Sequence, residues 1–205
     1  MMNQKVLYFC GMLVPFTYIF MYILGGALRP GYSHISDSVS ELLSRGAPNK
    51  KLLDSFNVAF ALFYILFGFG VFQFVMGSDH NALVGRIGAG MIIAVGIASI
   101  GSAIFPQDAT DTPRTLPGTL HLIFVFGVQI PGAIISTLLI GIWMNQADIL
   151  AGFATYSFIS AGAIVLSGAL AGPSMGKPFM GVVERISALA VHQWIFFLAW
   201  NLLGS

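Results

Sequence analysis

Charged side chains are scarce in this chain. Only 8% of its 205 residues are Asp, Glu, Lys or Arg, whereas a soluble domain usually carries about 25%. Because so few charges cannot cover a surface that faces water, the composition excludes a water-soluble domain. The formal net charge is +1, and no basic tract lies beside aromatic residues, so the sequence also excludes nucleic acid as a partner.

Cysteine is also nearly absent. The one cysteine, Cys10, lies inside the first apolar run, where it can join neither an intrachain disulfide nor a thiolate metal cluster. Cysteine usage therefore gives no information about the redox compartment.

Apolar sequence, in contrast, is abundant, and 57% of the residues are hydrophobic. In lipid, backbone polar groups must be satisfied within the structure, and continuous apolar runs achieve this as helices. The sequence therefore predicts an all-α integral membrane protein, a single polytopic domain over residues 1–205, built as a bundle of about six transmembrane helices. The predicted spans are Val6–Leu28, Leu53–Met76, Gly85–Phe105, Thr119–Met144, Ile149–Ala171 and Glu184–Leu203.

The first apolar run also has the outline of a secretory signal peptide. Lys5 precedes it, and Leu24-Gly25-Gly26-Ala27 could end it at a cleavage site after Ala27. The run is longer than the h-region of about 7–15 residues in a usual signal peptide. We therefore predict that it stays as the first span.

Long and short connections alternate along the chain. Residues 29–52, 106–118 and 172–183 form long polar connections, and 77–84 and 145–148 form short ones. In an up-and-down bundle the three long connections share one face, called the long-loop face below. The positive-inside rule predicts that this face is cytoplasmic and both termini are outside. The Lys and Arg residues on it are Arg29, Arg45, Lys50, Lys51, Arg114, Lys177 and Arg185, against Lys5 and Arg86 on the opposite face.

The first long connection predicts one short interfacial amphipathic helix after the first span. Turns at Pro30-Gly31 and at Gly46 enclose about three helical turns, near Ser36–Ser44. Such a helix would lie along the membrane surface, with its polar stripe either in a site or simply in water. The polar stripe is His34, Asp37, Ser38 and Glu41, and the apolar stripe is Ile35, Val39 and Leu42.

Further ionisable residues converge on the long-loop face from the other connections. Asp108 follows the third span, His121 begins the fourth, and Glu184 opens the sixth. His192 lies two turns further along, roughly 12 Å deeper, where an ionisable side chain usually faces the bundle interior or a wet cavity. Of the four histidines, only His80 lies in a short connection on the opposite face.

This polar cluster has three interpretations. His34, His121 and His192, with a carboxylate, could bind a divalent metal such as zinc in an open catalytic site. The groups could instead form a structural network of histidine, carboxylate and arginine pairs. A metal-free acid–base site is the third interpretation, with Ser38 as nucleophile and with His121 or His192 oriented by Asp108 or Asp37. The residues that would carry catalysis are His34, Asp37, Ser38, Glu41, Asp108 and His121.

A second polar feature lies inside the fourth predicted span. Pro131 has no N–H and should free a carbonyl one turn back, beside Gln129. Water or a substrate could bind there, or Gln129 could simply bond to a neighbouring helix.

The loop motifs resemble those of the multi-pass prokaryotic membrane family catalogued as domain of unknown function 998. The motifs are Tyr32-Ser-His-Ile-Ser-Asp-Ser-Val-Ser-Glu, Gly46-Ala-Pro-Asn, Phe105-Pro-Gln-Asp108, His121 and Gly181-Val-Val-Glu-Arg185. The resemblance spans nearly the whole chain and implies a single membrane domain in a prokaryotic inner membrane. It implies no reaction, and His192 is outside its motifs. The positions that match the family pattern are His34, Asp37, Glu41, Asp108, His121, Glu184 and Arg185.

Three functions remain open on the sequence alone, with membrane lipids as expected partners. A membrane-embedded hydrolase would act on a lipid or other amphipathic substrate at the long-loop face. A small-molecule carrier or receptor would bind its ligand within the bundle. A structural membrane protein would need no site. Hydrolysis predicts a polar cluster open on one face only, whereas transport predicts polar residues across the bilayer. The expected substrate contacts are Arg29, Arg45, Gln129, Glu184 and Arg185.

Overall fold

The computed structural model describes residues 3–78, 82–109 and 112–204, and within these ranges it is helical, with no strand. Six helical segments are long and apolar enough to cross a membrane, which confirms the predicted all-α bundle of six spans. The elements are α1 (Gln4–Leu28), α2 (Val39–Leu42), α3 (Lys50–Met76), α4 (Ala82–Ile104), α5 (Leu116–Leu122), a π-helical segment (Ile123–Gln129), α6 (Ile130–Gln146), α7 (Ala151–Ser174) and α8 (Met180–Gly204).

The spanning helices form a ring. Each packs mainly against two neighbours, in the order α1, α3, α4, α6, α7, α8 and back to α1. The first span is therefore a wall of the bundle, in contact with α3 and α8. Successive spans run in opposite directions, so the three long connections lie at one end of the ring, and Gln4 at the start of α1 and Gly204 at the end of α8 lie at the other.

Large side chains fill the half of the ring nearer the short connections. Phe67, Trp143 and Trp194 are at most 1% exposed and belong to one continuous apolar cluster. The indole Nε1 of Trp194 donates to the Ser157 hydroxyl at 2.9 Å, so this polar atom is satisfied inside the cluster. In lipid, such close packing is what holds helices together.

The fourth span changes its helical winding at its centre. The N–H of Ile130 donates to the carbonyl of Val125, five residues earlier, which is the hydrogen bond of a π-helix. Pro131 follows at the start of α6. Because it has no N–H, it cannot donate the α-helical hydrogen bond to the carbonyl four residues earlier. The wider turn ends at Gln129, whose Nε2 donates to the Ser102 hydroxyl on α4 at 3.3 Å. The predicted bond to a neighbouring helix is thus present.

The predicted helix after the first span is shorter than expected. It covers only Val39–Leu42, and both of these apolar residues are buried against Met21 and Leu53. The carbonyls of residues 34, 35 and 37 accept hydrogen bonds from α8, so they do not start a longer α-helix. The predicted stripe from residue 34 to residue 41 therefore spans a turn and a helix.

Candidate functional site

Arg185 ties the first long connection to the start of α8. Its side chain is buried, and Nη1 donates to the carbonyls of His34 (2.9 Å), Asp37 (3.1 Å) and Gly181 (2.8 Å). Nη2 donates to the Tyr32 hydroxyl at 2.6 Å and lies 3.1 Å from Nδ1 of His34. The guanidinium is therefore committed to the loop and does not point into open space.

Tyr32 extends this contact. Burial raises the pKa of Tyr32 to about 12, so its hydroxyl keeps its proton while it accepts from Arg185. That proton is shared between the carbonyls of Ser38 (2.8 Å) and Asp37 (3.2 Å). Tyr32 therefore relays the arginine contact to the beginning of α2.

Glu184 holds the other side of the same loop. Its carboxylate accepts from the N–H of Val39 at 2.6 Å and from the Ser40 hydroxyl at 3.1 Å. These groups lie in the first turn of α2, where backbone N–H groups have no partner within the helix. The Ser38 hydroxyl accepts from the N–H of Glu41 at 3.1 Å, so α2 has both a Ser cap and a carboxylate cap. We call Tyr32, Glu184 and Arg185, with the backbone of residues 34–40, the loop–helix clamp.

A glycine makes the clamp possible. The N–H of Val182 donates to the carbonyl of Ile35 at 3.1 Å, which brings the loop directly onto the first turn of α8. A Cβ atom at Gly181 would collide with the carbonyl oxygens of Asp37 and His34. Only glycine allows this approach of loop and helix.

Arg29 and Arg45, which were expected to contact a substrate, instead form hydrogen bonds with backbone carbonyls. Nη1 of Arg29 donates to the Glu41 carbonyl at 2.7 Å, at the end of α2. The backbone N–H of Arg45 donates to the Gln107 carbonyl at 3.0 Å and joins the first two long connections. Neither of these arginine side chains lines the cavity described below.

Asp108 organises the start of the fourth span. Its carboxylate accepts from the N–H and the hydroxyl of Thr115, at 2.8 Å and 2.6 Å, and a Cβ atom at Gly118 would overlap it. The Thr115 hydroxyl in turn caps α5 by accepting from Gly118. The hydrogen bonds from Thr115, helped by the positive charges of Arg45 and Arg114, hold the pKa of Asp108 below its usual value.

His121 is buried and is oriented by backbone groups. Its Nδ1 lies 3.2 Å from the carbonyl oxygens of both Ser102 and Phe105. Because both partners are acceptors, we assign the proton to Nδ1, which leaves Nε2 as an acceptor. The partner expected to fix this tautomer was Asp108, but the carbonyls at the end of α4 do so instead.

His34 lies on the outer side of the clamp and is exposed. Its Nδ1 faces the Arg185 guanidinium, which is always charged and can only donate, so Nδ1 must accept. Desolvation, followed by the positive charge of Arg185, lowers the pKa of His34. Asp37 accepts from the N–H of Ser33 and the hydroxyl of Ser36, which stabilises the turn that carries His34.

A cavity of ≈ 590 Å³ lies inside the ring, in the half nearer the long connections. All six spans contribute to its wall, and residues of all three long connections line the end at the long-loop face. Its charged lining residues are at that end. They are Asp37, Glu41, Lys177 and Glu184.

The deep end of the cavity is aromatic. His192 is 5% exposed and packs edge-on against Tyr18, with ring centroids 4.6 Å apart, and against Phe60 at 5.3 Å. Tyr64 lies 6.2 Å from the same imidazole. Nδ1 of His192 is buried and has no hydrogen-bond partner. All four rings line the cavity.

The structure divides the predicted site residues into two groups. Those in the cavity wall are Asp37, Ser38, Glu41, His121, Gln129, Glu184 and His192. The others hold loops or α5 outside the wall, and they are Arg29, His34, Arg45, Asp108 and Arg185. His80 lies outside the described residues.

The predicted histidine ligands have separate surroundings. His34 faces Arg185, His121 faces the end of α4, and His192 lies among aromatic rings. Over the described ranges, no group of three or more His, Cys, Asp or Glu side chains is placed to hold a metal ion. Zinc binding therefore stays a prediction from the sequence.

Several cavity residues were missed by the sequence reasoning. Tyr18, Asn57 and Tyr64 line the cavity deep in the ring, although no loop motif marks them. The available signal was polarity inside apolar spans, because a polar residue at membrane depth usually faces the bundle interior. Asn57 and Tyr64 are two helical turns apart on α3, which places them on one face.

The sequence profile of a family described as Protein of unknown function (DUF998) matches residues 12–201. The chain belongs to this family, as the loop motifs indicated. No curated protein and no solved structure matches the chain.

Proposed function

We propose that this member of the DUF998 family binds an amphipathic molecule, a membrane lipid or a small lipid-like compound, in the cavity inside its helical ring. The observation that carries the proposal is the shape of that cavity. It extends from the charged end at the long-loop face to the aromatic end around His192, and the other half of the ring is packed with large side chains.

The polarity of the wall fits such a ligand. The charged lining residues lie at the long-loop end, where a headgroup would meet water, Lys177 and the carboxylates. Further in, the wall is apolar and includes Val95, Ala133 and Ile164. Its volume is within the range of about 300–1,000 Å³ that is usual for small-molecule sites.

Binding is better supported than hydrolysis. A serine nucleophile needs a base within hydrogen-bond reach, but the Ser38 hydroxyl caps α2 and has no histidine partner among the described residues. The carboxylate of Glu184 accepts from α2, and that of Asp108 accepts from Thr115. Ser38 and Glu184 therefore build the mouth of the cavity, and Asp108 organises the start of the fourth span outside the cavity wall. A receptor or carrier needs no nucleophile, so these structural roles fit binding.

The experiment is photolabelling in lipid nanodiscs with a long-chain alcohol that carries a diazirine. We expect labels on peptides that line the cavity, around Gln129 and around Ala188. Gly168 faces the cavity from α7, with Ile130 as its nearest neighbour, so Gly168→Leu should narrow the cavity and reduce these labels about tenfold.

Gly162 is the matched control on the same helix, because the space around it is open and it does not line the cavity. Gly162→Leu should leave the cavity labels unchanged. Labels confined to the outer surface of the ring, equal in both variants, would show that the cavity does not take up an amphipathic molecule.

A further inference from the structure

The aromatic end of the cavity carries unsatisfied hydrogen-bonding groups. Tyr18, Tyr64 and His192, which we call the polar floor, lie on three different helices and line the same space. No hydrogen bond joins any of these three side chains to another residue in the described part of the chain. Each lies near the middle of its spanning helix, α1, α3 or α8.

Such groups are costly at this depth. A buried polar group without a partner is destabilised by about 1–3 kcal/mol, and lipid supplies no hydrogen bonds. His192 is the sharpest case, because its imidazole is 5% exposed, aromatic rings surround it, and no hydrogen bond joins it to a described residue. An apolar residue at each of these positions would avoid the penalty, so the polar floor points to a partner that comes from outside the chain.

Three polar residues higher in the cavity are different. Ser99 and Ser102 donate their hydroxyls to backbone carbonyls within α4, and Gln129 donates to Ser102. These side chains are satisfied by the protein itself. Asn57, two helical turns from Tyr64 on α3, also lines the cavity without a hydrogen bond to a described residue, but at the deep end three such side chains meet.

We infer that the polar floor binds a hydroxyl, carbonyl or amide group at the buried end of the ligand. This inference rests on the proposed function and deepens it. The ligand is then a molecule with polar groups at both ends of an apolar body, and the group at its buried end is neutral. Glu184 and His192 are eight residues apart on α8, so the two polar ends would be separated by about 12 Å.

The polar floor can form hydrogen bonds with several neutral groups. A neutral imidazole offers one N–H and one acceptor nitrogen, and each tyrosine hydroxyl can donate and accept. A hydroxyl can pair with any of them, and a carbonyl can accept from two tyrosines. A simple acyl chain would leave all three groups unpaired.

The test is competition against the photolabel with two unlabelled probes, 1-decanol and 1,10-decanediol, in the same nanodiscs. Because partition into the bilayer is the same for all variants, the ratio of the two potencies isolates the contribution of the polar floor. We expect the ratio to favour the diol in the wild-type protein and to fall about tenfold in His192→Phe. Tyr64→Phe, which removes only a hydroxyl, should lower the ratio in the same direction.

Tyr8→Phe is the control, since Tyr8 is buried in the packed half and does not line the cavity. It should leave the ratio at its wild-type value. A ratio that is the same in wild type, His192→Phe and Tyr64→Phe would overturn the polar floor as a recognition site, with the proposed function intact. If neither alcohol displaces the photolabel from the cavity, the proposed function and this inference both fail.

Discussion

The two halves of the ring are held together by different forces. Near the short connections, Phe67, Trp143 and Trp194 fill the centre almost completely, and dispersion contacts join the helices. Near the long connections the centre is hollow, and the hydrogen bonds of Glu184 and Arg185 in the loop–helix clamp hold that end together around the mouth of the cavity. Apolar packing thus holds one half, and a polar network takes its place where a cavity must stay open.

This difference explains what the loop motifs do. Tyr32, Gly181, Glu184 and Arg185 stand in the loop motifs, and all of them join the first long connection to α8. The motifs therefore mark the construction of the mouth. The residues that contact the proposed ligand deep in the cavity, such as His192, are outside the motifs.

The largest effect should come from breaking the clamp. Arg185→Gln removes a charged donor that serves the carbonyls of His34 and Asp37 and the Tyr32 hydroxyl. Since hydrogen bonds to charged groups contribute about 1.5–3 kcal/mol each, we expect the free energy of unfolding to fall by about 3 kcal/mol or more. Unfolding in mixed micelles with increasing denaturing detergent measures it.

Arg86→Gln is the matched control for that substitution. Arg86 is exposed near the short connections, and its replacement should change the free energy of unfolding by less than about 0.5 kcal/mol. Equal effects of the two substitutions would mean that the clamp does not hold the mouth.

An intermediate effect on stability should come from equal truncations in the packed half and in the hollow half. Ile140 and Ile164 are both buried, but Ile140 belongs to the packed cluster and Ile164 lines the cavity. In lipid the loss is one of packing contacts, so Ile140→Ala should lower the free energy of unfolding by about 2 kcal/mol. Ile164→Ala should have about half that effect, because its side chain already borders empty space.

Photolabelling adds a second measurement to this pair. Ile164→Ala enlarges the cavity and should keep or increase labelling of the cavity peptides, while Ile140→Ala should leave it unchanged. A larger loss of stability for Ile164→Ala would show that the cavity wall is packed as tightly as the opposite half.

The smallest effect should be a dependence of stability on pH at the clamp. The pKa of His34 is lowered in the folded protein, so below its ordinary value of about 6.5 the unfolded chain binds more protons than the folded one. Stability therefore rises with pH through this window and falls as His34 is protonated, because the imidazolium loses the bond from Arg185.

Comparing melting temperatures at about pH 5.5 and about pH 8 in wild type and His34→Asn measures this effect. Asn can accept from Arg185 at both pH values, so the variant should show the smaller change. An unchanged or larger pH dependence in His34→Asn would place the titrating group elsewhere.

The sequence predicted the spans well and the cavity only in part. Apolar length and the polarity of the connections located all six spans, because crossing a bilayer is a requirement on local composition. The search for ionisable residues near the long connections identified Asp37, Glu41, Glu184 and His192, and these residues line the cavity. The helix predicted near Ser36–Ser44 was too long. The sequence periodicity carries no information about the carbonyls of this loop, which accept hydrogen bonds from α8 and not from the next turn of a helix.

What the amino-acid sequence determined by itself was the membrane environment, the number of spans, the shared face of the long connections and the family. Each of these depends on local apolar length or on motifs read along the chain. Only the tertiary structure decided that the ring is packed at one end and hollow at the other. That outcome depends on which side chains of six separate helices meet at the same depth: Trp143 with Phe74 in one half, and His192 with Tyr18 in the other.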